Sequence, residues 1–82
     1  MITLEAAQAA AESYVALNRT TARVSGLLED DRDYLIQLEP LEGVPGLVAQ
    51  AALMLSKRTG VVREEPWGRV FDQVEAMAPV AS

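Results

Sequence analysis

An α+β fold is predicted by three observations. Both ends of the chain show helical periodicity, the middle holds four short runs at strand spacing, and those runs are parted by turn residues rather than by helices. The predicted order is α-β-β-β-β-α: a mostly antiparallel four-stranded sheet with two helices on one of its faces. At 82 residues the chain is read as one domain, residues 1–82. A domain this short buries roughly 60% of the surface its unfolded chain exposes. Its stability is on the order of 4–12 kcal/mol.

Thr3 is the predicted N-cap of the first helix, with Ile2 before it and Ala7 after it as a hydrophobic staple. Residues 4–18 are mostly strong helix formers, and Leu4, Ala7, Ala11, Tyr14 and Val15 share a face. Thr20-Thr21 breaks that pattern. Residues 22–28 read as the first strand, with Val24 and Leu28 on one side and Arg23 and Ser25 on the other; Gly26 marks a bulge or a close contact. Glu29-Asp30-Asp31-Arg32 is a polar turn. Residues 33–39 alternate with period two and form the second strand, which Pro40 ends. Val44-Pro45-Gly46-Leu47 has the residues of a type II turn, and residues 47–51 are ambiguous. Residues 52–56 and 61–64 flank a turn containing Gly60, so they form a hairpin in which Gly60 takes a positive φ. Residues 69–78 form the last helix, with Val70, Phe71, Val74 and Met77 as its core stripe and Pro79 as its stop. The open side of the sheet is expected to carry Arg23, Ser25, Gln37 and Glu39.

The chain has no cysteine and no histidine. The commonest zinc ligands, the usual general base and the usual thiol nucleophile are therefore missing. No catalytic residue, metal or cofactor is predicted, and the protein is not expected to be an enzyme. No apolar run nears the ~18–20 residues that span a bilayer, and the first residues do not read as a signal peptide. A cytoplasmic location without membrane contact is expected.

The net charge of −5 is concentrated. Between positions 29 and 42 lie Glu29, Asp30, Asp31, Asp33, Glu39 and Glu42 against a single base, Arg32, while the rest of the chain balances. A nucleic-acid partner is not expected, since phosphates call for a basic footprint. Calcium binding by the turn fails the EF-hand test: counting from Glu29, Tyr34 stands where Gly is required and Pro40 where the bidentate Glu is required. The acids read either as a solvated turn or as a surface that steers a basic protein partner. Glu64 and Glu65 are adjacent in an extended segment, so they point to opposite faces and do not form a catalytic pair. Trp67 reads either as a binding hot spot or as packing at the junction beside Pro66. Glu29, Asp30, Asp31, Asp33, Glu39, Glu42 and Trp67 are the candidate partner-binding residues.

Met1-Ile2-Thr3 with the alanine-rich first helix, residues 34–39, and above all residues 47–62 with Leu53-Met54-Leu55-Ser56-Lys57-Arg58-Thr59-Gly60-Val61-Val62, resemble small bacterial domains of the YrhB type. That group includes immunity proteins of polymorphic toxin systems. The chain departs from the family pattern at Asp33-Tyr34, where a Gly-Trp pair is usual, and at Ala52, where Pro is usual. The resemblance implies a binding protein: an inhibitor or immunity-type partner of a toxin or enzyme with a basic surface, or a chaperone-like partner of another bacterial protein. A Lys-x-Thr-Gly hairpin also occurs in PepSY-like domains. The alternative is therefore a regulatory or structural module acting as a homo-oligomer, with a homodimer as its simplest form.

Overall fold

Thr3 caps α1 (Leu4–Asn18) as its sequence predicts, its hydroxyl accepting a hydrogen bond from the Ala6 amide at 3.1 Å. In the computed structural model, which describes residues 1–43 and 51–80, α1 is followed by β1 (Ala22–Glu29), β2 (Asp33–Pro40), β3 (Ala52–Ser56), β4 (Val62–Glu65), α2 (Trp67–Ala76) and β5 (Ala78–Pro79). The predicted turn at Pro45-Gly46 and most of the ambiguous stretch 47–51 lie outside the described residues. Every strand pairing is antiparallel, and the strand order is β4-β3-β2-β1-β5. No helix among the described residues is long and apolar enough to cross a membrane.

The two helices lie on opposite faces of the sheet, which corrects the expectation of both on one. Ala7, Ala11 and Val15 of α1 pack with Leu27, Tyr34, Ile36, Leu53 and Leu55. Val70 of α2 and Met77, the residue that follows the helix, pack with Leu35, Ala52 and Met54. Successive strand residues point to opposite faces, so Leu53 and Leu55 serve one cluster and Met54 the other. The physical reason is the unbroken apolar character of Tyr34-Leu35-Ile36 and Leu53-Met54-Leu55. A central strand of that kind has two faces to bury, and each helix covers one.

A bulge supplies the second correction. The pairing of β1 with β2 shifts register between Val24 and Gly26. The extra residue inverts the alternation beyond it, so Leu27, not Leu28, joins Val24 on the α1 face. Arg23, Gln37 and Glu39 stay together on the α2 face.

The hairpin at Gly60 is present, with φ of +74° at that residue and a hydrogen bond from its amide to the Ser56 carbonyl at 2.8 Å. Ile2 donates its amide to the Lys57 carbonyl at 2.9 Å, which ties the start of the chain to this turn. β5 was not foreseen. The last helix runs from Trp67 to Ala76 rather than over residues 69–78, so it stops before Pro79 is reached; Ala78 and Pro79 instead pair along β1, with Leu28 opposite Pro79 and Glu29 opposite Ala78. Proline is tolerated there because β5 is an edge strand.

Candidate functional site

Most of the acidic segment is engaged within the fold. Glu29 accepts from Lys57 at 2.7 Å, and the same ammonium lies 4.8 Å from the centre of the Tyr34 ring. Glu39 pairs with Arg23 across the β1–β2 ladder. Asp30 caps its own turn, its Oδ1 accepting from the amides of Arg32 and Asp33, each at 2.8 Å. Asp31 and Glu42 are exposed.

Asp33 departs furthest from a solvated turn residue, being only 7% exposed. It opens β2 opposite Ser56, on the α2 face, and Arg63 reaches it from β4 with two hydrogen bonds at 3.0 and 3.2 Å. Gln73 of α2 donates to both Asp33, at 2.8 Å, and Asp30, at 2.9 Å. Arg63 also holds Glu65 at 3.2 Å. Burial alone pushes the Asp33 carboxyl up; the hydrogen bonds from Arg63 and Gln73 outweigh that and hold it below the ordinary carboxylate range. For Asp30 burial again pushes up, and Gln73 with the two backbone amides wins. The network fastens the C-terminal half of α2 to the sheet. Its members Arg63 and Gln73 were not recognisable from sequence, because their pairing depends on β4 and α2 both meeting the start of β2.

Glu64 and Glu65 point to opposite faces, as predicted. Glu64 meets Tyr14 and Arg19 of the α1 side, while Glu65 lies with Arg63 on the other.

An apolar surface also lies along α2. Phe71 was expected in the core stripe, yet it is 56% exposed, whereas Val70 beside it is 5% exposed. One residue is 100° of helix, and α2 turns Val70 to the sheet and Phe71 away from it. Trp67, one turn before Phe71, is 37% exposed and follows the N-cap Pro66. An open groove of about 430 Å³ lies beside it, lined by Leu28, Leu35, Gln37, Ala51, Trp67 and Val74. Ile36, Leu38 and Leu53 also line it, so it lies between α2 and the β2–β3 part of the sheet, with Leu28 of β1 at its side. Of the residues predicted to bind a partner, only Trp67 belongs to this surface. Among the described residues no group of three or more acids converges as a metal ion would require.

No family model, no curated protein and no solved structure matches the chain.

Proposed function

We propose that this chain is a protein-binding module, an inhibitor or immunity-type partner or a chaperone-like one, whose contact surface centres on Trp67 and Phe71. The observation that carries this reading is the exposure of Phe71 on a helix whose neighbouring Val70 is buried. Tryptophan is enriched among the residues that dominate protein interfaces, and two aromatics one turn apart beside an apolar groove give a partner a well-shaped anchor point. The chemistry of the partner follows from charge. Glu75, one turn after Phe71, and Asp72 beside it are both exposed, and the chain as a whole carries −5. A partner with a basic surface is favoured and its approach accelerated. The resemblance to YrhB-type domains supports the same class.

The test is capture from the native host on immobilised protein, comparing the parent with Trp67→Ala/Phe71→Ala. A basic protein retained by the parent is expected to fall about tenfold or more with the double variant, the loss that a hot-spot pair produces. Equal retention by both would contradict the reading. Self-association of the parent that the same double variant abolishes would replace it with the homo-oligomeric, PepSY-like alternative.

A further inference from the structure

The two hairpin tips meet at one end of the sheet. The β1–β2 turn and the β3–β4 turn are joined by a hydrogen bond from the Lys57 amide to the Arg32 carbonyl at 2.9 Å. A cleft of about 380 Å³ opens there, lined by Met1, Asp31, Arg32, Asp33, Ser56, Lys57, Arg58, Arg63 and Gln73. That volume falls among the smaller ligand sites of proteins, roughly 300–1,000 Å³. Four basic side chains and two acids line it, and Glu29 and Glu65 reach two of the four cations from outside the lining.

The cations divide into two kinds. Lys57 is held by Glu29, and Arg63 by Asp33 and Glu65. Arg32 and Arg58 have no hydrogen-bonded or ion-paired acid among the described residues, although Asp30 attracts Arg32 through space. Ser56 adds a donor: its Oγ accepts from the amides of Arg58 and Thr59, at 3.2 and 3.3 Å, which leaves its own proton to give. We propose that this cleft binds a phosphomonoester, with the guanidinium groups of Arg32 and Arg58 gripping its terminal oxygens and Ser56 donating to it.

The donor set selects that chemistry. Two guanidinium forks and a hydroxyl offer more hydrogen bonds than one carboxylate accepts, and they suit three terminal oxygens. A polyanion such as nucleic acid is repelled by the acidic remainder of the surface. Of the two acids among the described residues that line the cleft, Asp33 is held by Arg63 and Gln73, while Asp31 has no hydrogen bond or ion pair and opposes the ligand.

The experiment is a titration of the full chain followed by amide ¹H–¹⁵N spectra, with orthophosphate, a phosphoserine peptide and its unphosphorylated form as probes at matched ionic strength. Saturable shifts are expected at the amides of residues 31–33 and 56–60. Arg32→Gln/Arg58→Gln should weaken binding about tenfold or more, and Asp31→Asn should tighten it. Both arginines are exposed, so the double variant is expected to fold, which its dispersed spectrum would show. Tighter binding of the phosphopeptide than of orthophosphate identifies a modified protein as the source; equal binding identifies a small phosphate compound. Shifts that never saturate, that survive in the double variant, or that glutamate reproduces at the same concentration overturn the proposal.

Discussion

Leu55→Ala is expected to lower the free energy of unfolding by about 2–5 kcal/mol, a large fraction of what so small a domain possesses. Leu55 has no solvent exposure and sits in the cluster beneath α1. The truncation removes buried apolar area and leaves a cavity that the surrounding strands fill only in part. Alanine residues at positions 7 and 11 let α1 approach the sheet closely, so the side chains that would have to collapse into the gap are short. Met54→Ala should be comparably costly although it points the other way, into the cluster beneath α2. Urea unfolding followed by circular dichroism measures both, and a fall in midpoint with an unchanged slope is the expected form. A sheet covered on one face only would make one of these two substitutions cheap.

Asp33→Ala is expected to cost about 2–4 kcal/mol. Removing one partner of a buried ion pair costs about 3–5 kcal/mol, and the figure here is reduced because Arg63 keeps contact with solvent and with Glu65. The loss includes the second anchor of α2, since Gln73 is left with Asp30 alone. The same residue sets a pH dependence. The carboxyls of Asp33 and Asp30 titrate lower in the folded protein than in the unfolded chain, where they follow the ordinary value near 3.8. The folded state therefore releases these protons more readily. Their stabilisation is fully present above the unfolded value and is lost as pH falls below about 4 and through the folded values. Asp33→Asn should flatten that acid limb while remaining folded at neutral pH. An acid limb as steep as the parent's would remove Asp33 from this role.

The order of the two helices and the four longer strands was legible because their local signals were strong. Thr3 before a run of helix formers, Gly60 between two apolar runs, and Asp30 to Arg32 between alternating residues are short-range chemistry, and all three appear in the structure. Side assignment was not legible in the same way. Periodicity places Val70, Phe71, Val74 and Met77 on one broad arc, and nothing local says which edge of the arc meets the sheet. The continuous apolar character of Leu53-Met54-Leu55 did carry the information that both faces are covered. The bulge at Gly26 was legible as a bulge, but its effect on Leu27 and Leu28 depends on where β2 resumes its register. For the candidate site, charge density drew attention to the acidic segment, while the pairing that engages Glu29, Asp33 and Glu39 arises from residues 16 to 30 positions away in sequence. Exposure of Phe71 is likewise a tertiary fact.

Val70, Met77 and the Gln73 network hold α2 on the sheet, and the proposed partner surface requires that Phe71 take little part in that hold. Urea unfolding of Phe71→Ala tests this most directly, because burial and exposure predict different magnitudes for one truncation. A stability within about 0.5 kcal/mol of the parent is expected, as for an exposed residue outside any network. A loss of about 3–5 kcal/mol, the cost of deleting a buried phenylalanine, would place Phe71 in the core and contradict it.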